Sequence, residues 1–149
     1  MESEARIVDV IQTHGKIHVY STVDYGDGES HRSEPTPYPS FETAEQQLGN
    51  EIKDSSVKQD IYRNLKKVEA AAFGLIVLKD LITTQMSNRA DTDLIPIISV
   101  AGIFVFTNIV DAFNSNRLVS SRQEYAAVVE AKDKNLVQYE RVFPLYDEE

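Results

Sequence analysis

Residues 94–113 read LIPIISVAGIFVFTNIVDAF, a run with a single charge, Asp111. At about 1.5 Å per residue, a helix of that length is about 30 Å long, the thickness of the hydrocarbon core of a bilayer. The same run also suits the central helix of a bundle. These two surroundings imply different proteins, and the rest of the chain reads as an approach to this stretch and an exit from it.

Pro96 falls in the first turn, where its missing N–H costs nothing, and Asp93 or Thr92 is placed to cap the helix. Asn114-Ser115-Asn116 is a polar weak point. Beyond it Leu118, Tyr125, Val128, Val129 and Leu136 continue an amphipathic pattern, so the helix is expected over 94–134. Upstream, Ser56 and Gln59 have the spacing of a capping box and open a helix over 56–87. Ile61, Leu65, Val68, Ala72, Leu75 and Ile82 form its expected core stripe. The connection 88–93 is short, so the two helices are expected to fold back as an antiparallel hairpin. Before them, Ser40 caps a shorter helix carrying Phe41, Ala44, Leu48 and Ile52, expected to break at Asp54-Ser55.

The charges inside the hairpin bear on lipid against protein. Glu69, Lys79 and Asp80 would lie in or near hydrocarbon, where a central Lys or Asp costs about 2.5–3.5 kcal/mol. Counted outward from the connection, Lys79 falls level with Gly102, and Asp111 near Ala70, within reach of Lys66 or Lys67. Glu69, Lys67, Lys79, Asp80 and Asp111 are therefore the candidate buried ionisable or interface residues. Ala70 and Gly74, with Ala101 and Gly102, are candidates for close backbone packing. Arg63, Lys66 and Lys67 precede the hairpin and Arg117 and Arg122 follow it, whereas the connection sets Arg89 against Asp91 and Asp93. That asymmetry places both termini in the cytoplasm if the hairpin spans a membrane. In water, one neighbour and a small sheet cannot cover so apolar a helix, so the soluble alternative requires self-association or other subunits.

The N-terminal part reads differently. Ala5 to Gln12 is dense in β-branched residues, Thr13 to Lys16 is a turn with Gly15 free for positive φ, and Lys16 to Tyr25 alternates. Ile17, Val19, Ser21 and Val23 share one face of that strand. Glu29 to Glu34 returns as a short edge strand, making an antiparallel meander over 1–34. Pro35, Pro37 and Pro39 then impose an extended spacer over 35–39, expected to lack ladder hydrogen bonds and to separate the meander from a helical region over 40–138. Residues 139–149 are a tail expected to pack locally. The fold class is α+β, mainly α.

Composition excludes more than it assigns. The chain has no cysteine, which removes disulfides, thiolate metal sites and a Cys nucleophile. Its N-terminus, MESEARIVDV, is acidic where a signal peptide is basic, so no signal-directed secretion is expected. The net charge of −9 is spread as −7 over residues 1–60, +1 over 61–117 and −3 over 118–149. An acidic head without a Lys/Arg stripe disfavours nucleic acid. His14 and His18 are separated by a turn, and Asp24, Asp27 and Glu29 lack the alternate-position carboxylates and distal Glu of a calcium loop. No phosphate-cradling loop, nucleophile elbow or His-Glu-x-x-His occurs, so no catalytic residue, metal, cofactor or small-molecule substrate is expected.

Asn108-Ile109-Val110-Asp111-Ala112-Phe113, followed by Arg117-Leu118, resembles the last membrane helix of an uncharacterised bacterial membrane-domain family. The resemblance implies an inner-membrane protein and transfers no functional residue. The expectation is a non-enzymatic structural or assembly subunit whose helical hairpin embeds it in a membrane or a multimeric complex, virion or secretion machinery included. The alternative is a small membrane-active protein, holin-like or translocation-like, with Lys79, Asp80 and Asp111 lining an oligomeric pore.

Overall fold

The two-residue turn at His14-Gly15 sets the register of everything that follows. Both residues take positive φ, 51° and 76°, which matches the twist of a tight hairpin and leaves Thr13 facing Lys16. In this computed structural model, which describes residues 4–26, 29–87 and 94–145, the hairpin joins β1 (Ala5–Thr13) to β2 (Lys16–Asp24). β3 (Ser30–Arg32) and β4 (Thr36–Tyr38) share the far edge of β2, pairing with its second and first halves. Two helices follow, α1 (Phe41–Ser87) and α2 (Leu94–Asp133). β5 (Gln138–Pro144) then pairs antiparallel with the free side of β1. The chain is α+β and mostly helical, with an antiparallel sheet at its N-terminus.

The proline segment departs from expectation. Thr36–Tyr38 is not a spacer without ladder bonds but an edge strand opposite Ile17–Val19, and Tyr38 is buried in the core. An edge strand turns alternate N–H groups away from its neighbour, so Pro37 is tolerated there. The tail departs likewise, because residues 138–144 complete the sheet. Gln12 N–H extends the ladder to Val137 C=O at 2.7 Å, and Leu145 N–H reaches Glu4 C=O at 3.1 Å.

Ser40 caps α1, its hydroxyl accepting from Thr43 N–H at 3.2 Å. The break expected at Asp54-Ser55 and the new start at Ser56 do not occur. Asp and Ser are weaker helix formers but keep their N–H groups, and Asp54 pairs with Lys58 one turn on at 2.6 Å. α2 likewise runs unbroken through Asn114-Ser115-Asn116. It ends in a left-handed cap at Asn135 (φ 51°), with Asn135 N–H bonded to Lys132 C=O and Leu136 N–H to Ala131 C=O, each at 2.9 Å.

The chain forms two compact units, Met1–Lys53 with Leu118–Glu149, and Asp54–Arg117. The first, the sheet unit, includes the opening turns of α1 and the closing turns of α2. The boundary therefore lies within the helices and not at the prolines. Its core joins Val8, Val10, Ile17 and Val19 to Ala44, Leu48 and Val128. Burying each of these larger side chains contributes about 1.5–3 kcal/mol.

The second unit is the helix pair, and its burial is inverted. Ile61, Leu65, Val68, Leu75 and Ile82, expected as the core stripe, are exposed, and Ala72 is only half-buried. The face of α1 withdrawn from solvent instead carries Ser55, Gln59, Tyr62, Lys66, Glu69, Ala72, Ile76 and Asp80, at intervals of three and four. That is the spacing of a two-helix seam, rotated by about one residue from the apolar stripe. The cause is polar. Lys66 and Glu69 find partners on α2, and a helix apolar nearly all round gives up little by turning its charges inward.

Candidate functional site

Within the helix pair, side-chain contacts tie α1 to α2, the earlier residues of α1 meeting the later ones of α2. Asn114 Nδ2 donates to Ser55 C=O at 2.8 Å, and Gln59 Nε2 to Ser115 Oγ at 3.4 Å. Lys66 makes an ion pair with Asp111. Thr107 Oγ1 donates to Glu69 Oε1 at 2.6 Å, with Glu69 and Thr107 only 6% and 3% exposed. The seam is thus held by hydrogen bonds and charge, while Val68, Leu75, Ile98, Phe106 and Phe113 face outward, all more than half exposed. Of the 18-residue apolar window found in α2, only 6% is buried.

Among the described residues, three carboxylate oxygens in this seam are buried without a partner, Glu69 Oε2, Asp80 Oδ2 and Asp111 Oδ1. Glu69 and Asp111 therefore each use one oxygen within the pair and keep the other free. Of the two lysines within expected reach of Asp111, Lys66 makes the contact and Lys67 is exposed. Lys79 is exposed, and Asp80, its neighbour, is half-buried. The two point apart, as adjacent helical residues do. Ala70 and Ala101 line a cleft between the helices. Gly74 and Gly102 have open space where a Cβ would project, so no close backbone approach is made beside them.

That cleft has a volume of about 370 Å³, with apolar walls from Phe73, Val100, Phe104 and Val105, and Glu69 is its one polar lining residue among the described residues. Ala70 and Ala101 leave it open because neither carries a side chain long enough to fill it.

The sheet unit holds a different recess, about 290 Å³, lined by Arg6, Ser21, His31, Arg32, Ser120 and Glu124. Arg6 Nε and Nη1 are buried there without a partner. Burial raises the Glu124 pKa above the carboxylate value, while the Ser120 hydroxyl at 3.1 Å and nearby Arg6 oppose the shift. The same burial pushes the Tyr38 phenol up to about 12. Arg6 and Glu124 are polar groups that sequence reasoning missed. Arg6 had a visible signal, since it shares strand parity with Val8 and Val10 and so points to the core side.

The histidines are dispersed. His14 sits in the β1–β2 turn, His18 opposite Pro37, and His31 on β3. Among the described residues no group of three or more His, Cys, Asp or Glu converges on a metal-sized space. Asp24 closes its own turn, accepting from Gly26 N–H at 3.0 Å. Asp27, like the connection 88–93 and its expected caps, lies outside the described residues. No family model, characterised protein or solved structure matches this chain.

Proposed function

We propose that the chain is a non-enzymatic membrane-anchored subunit whose helical hairpin, centred on residues 94–113, enters the bilayer while the sheet unit stays in water. One observation carries this reading: the helix pair turns Lys66, Glu69, Thr107 and Asp111 into its seam and presents most of its large apolar side chains outward. In hydrocarbon there is no hydrophobic force between helices, so interhelical hydrogen bonds and ion pairs hold them and apolar side chains turn to the lipid. Glu69–Thr107 and Lys66–Asp111 are such contacts. Lys66, Lys67 and Arg117 would then sit at the end from which the hairpin enters, which the positive-inside rule makes the cytoplasmic side.

Extraction of membranes with alkaline carbonate tests the reading. The chain is expected to remain in the pellet, and release into the supernatant would end the membrane assignment.

A second reading is favoured by Lys79, exposed among Leu75, Leu78 and Leu81. A lysine facing lipid near mid-depth costs about 2.5–3.5 kcal/mol. Self-association that covers this face, in the membrane or in a soluble complex, removes that cost. Light scattering on the detergent-solubilised protein separates the two: a monomer supports lipid contact, and a defined oligomer supports a covered face.

A further inference from the structure

β5 is the outermost strand on one side of the sheet, and among the described residues it pairs only with β1. The hydrogen bonds at the two ends of that ladder use Val137 C=O and Leu145 N–H. Alternation along an antiparallel strand then gives the odd-numbered residues of β5 to β1 and turns the N–H and C=O groups of Gln138, Glu140 and Val142 outward. Pro144, with no N–H to offer, closes one end of this edge. Beside it lies a groove of about 650 Å³, lined by Tyr125, Val129 and Asp133 of α2 and by Tyr139 and Arg141 of β5. No residue of β1 lines it, so it opens on the outer side of β5. Glu130 meets Arg141 at 2.7 Å and Lys134 lies over the Tyr139 ring, so α2 and β5 run alongside each other in opposite directions.

Charge narrows what fits this edge. On the face turned away from the core, Glu140 stands opposite Asp9, and like charges directly opposite are destabilising. Asp9 has Arg32 at 3.7 Å, whereas no cation among the described residues pairs with Glu140. The sheet unit carries eight basic and seventeen acidic side chains, which is the whole net charge of the chain. A second copy suits the edge poorly. Antiparallel pairing of β5 with itself about Glu140, or about Arg141, sets like charges opposite each other.

We propose that the edge of β5 docks an extended basic segment of a partner protein, added antiparallel as a further strand, with lysine or arginine opposite Glu140 and apolar side chains in the groove toward α2. Main-chain hydrogen bonds to the edge hold such a segment, and its alternate side chains set its identity. From Tyr125 to Asp133 the groove follows about 12 Å of helix. That is the length of about four strand residues, so the groove takes about two inward side chains. The surface belongs to the sheet unit alone, so it stands whether or not the hairpin enters a bilayer. Release of the chain by carbonate leaves the following test intact.

The test is a titration of the full chain, in neutral detergent micelles at physiological salt, into a fluorescently labelled peptide Thr-Lys-Val-Lys-Val-Lys-Thr, followed by anisotropy. The controls are the same peptide with glutamate for lysine, and two isomers methylated on the backbone nitrogens of two lysines or of the two valines. The lysines pair with Gln138, Glu140 and Val142, so their N–H groups enter the ladder while the valine N–H groups face away. The lysine peptide is expected to bind saturably. It should bind at least about tenfold more tightly than the glutamate peptide and the lysine-methylated isomer, with the valine-methylated isomer within about threefold of it. Glu140→Lys is expected to reverse the preference between the lysine and glutamate peptides. Val142→Pro removes one outward N–H, leaves the ladder to β1 intact, and is expected to lose about tenfold for the lysine peptide. Circular dichroism verifies that each variant is folded. Equal binding of the two methylated isomers, equal binding by wild type and Glu140→Lys, or no saturable binding overturns the proposal. So does a wild-type dimer that becomes a monomer on Val142→Pro without binding the peptide, since the occupant is then a second copy.

Discussion

In the sheet unit the side chains withdrawn from solvent are Val8, Val10, Ile17, Leu48 and Val128. Ser121 is the sheet unit's one buried polar side chain among the described residues, whereas in the helix pair the described buried side chains are Ser55, Glu69 and Thr107. The same two helices contribute to both. α1 buries Ala44 and Leu48 near its start and Glu69 further along, and α2 buries Thr107 before Leu118 and Val128. Helix formation is therefore indifferent to the change, because backbone hydrogen bonds close within each helix whatever lies outside. What changes is the force that brings surfaces together. Around the sheet it is removal of apolar area from water. Along the seam it is hydrogen bonding and charge. The chain alters its packing rule partway along two continuous helices, and the membrane reading proposed above would give each rule its own medium.

Truncation separates the two rules most sharply. Leu48→Ala opens a cavity in the sheet unit and is expected to cost about 2–5 kcal/mol, measured by chemical denaturation in detergent. Leu75→Ala deletes the same atoms from a side chain that is 68% exposed and touches little protein. It is expected to change stability by less than about 0.5 kcal/mol. A comparable loss from Leu75 would mean that another chain covers that face.

The next contrast takes two exposed residues that face different media on the membrane reading. Phe106 and Val142 are 68% and 57% exposed. Val142→Asp adds a solvated charge to β5 and is expected to be neutral within about 0.5 kcal/mol. Phe106→Asp would put a carboxylate against lipid at about 2.5–3.5 kcal/mol. It is expected to shift the chain from the carbonate pellet into the supernatant. Equal behaviour of the two variants would erase the distinction between the units.

The sequence made one of these units far more legible than the other. Alternation in Lys16–Tyr25 and the turn at His14-Gly15 identified β2 and its hairpin partner, because a half-buried strand next to a tight turn carries its own signal. β5 was invisible for the opposite reason. Its partner β1 lies at the other end of the chain, and no local pattern announces a long-range pairing. The prolines misled because the edge of a sheet accepts what its centre forbids. In the helix pair the element type was plain from Val68–Leu78 and Leu94–Phe113, but the rotation of α1 was not. A helix apolar nearly all round has no stripe to read, so the sparse charges set the seam. The arithmetic that placed Asp111 beside Ala70 and within reach of Lys66 was more informative than the apolar periodicity. The cleft at Glu69 was beyond reach, since it depends on where Ala70 and Ala101 fall once that rotation is fixed.

Thr107→Val has a smaller expected effect and examines the seam itself. It removes the Thr107 donor to Glu69 Oε1 while preserving volume, leaving both carboxylate oxygens without a partner among the described residues. Interhelical hydrogen bonds within membranes are worth about 0.6 kcal/mol on average and up to about 1.7. A loss in that range, read from unfolding in detergent, is expected. No loss would mean that Glu69 already has another partner.

The smallest effects come from pH, and two acids of the sheet unit carry opposite signs. Glu130 accepts from Lys134 and Arg141 at 2.6 and 2.7 Å. Lys134 foremost, and Tyr139 next, hold its pKa down to about 2. A depressed pKa contributes stability that is present above the ordinary carboxylate value of 4.5 and is lost as pH falls toward 2. Glu124 does the reverse. Burial raises its pKa, so the protonated carboxyl is the favoured form, and stability declines as pH rises from 4.5 through the raised value. Melting curves between pH 2 and pH 8 are therefore expected to separate the variants. Glu130→Gln should lower the melting temperature at neutral pH and converge on wild type at the acid end. Glu124→Gln should match wild type at the acid end and exceed it at neutral pH, since the glutamine is never charged. A loss on Glu124→Gln at neutral pH would mean that Arg6 holds Glu124 ionised. The unpartnered nitrogens of Arg6 would then be a feature of this conformation alone.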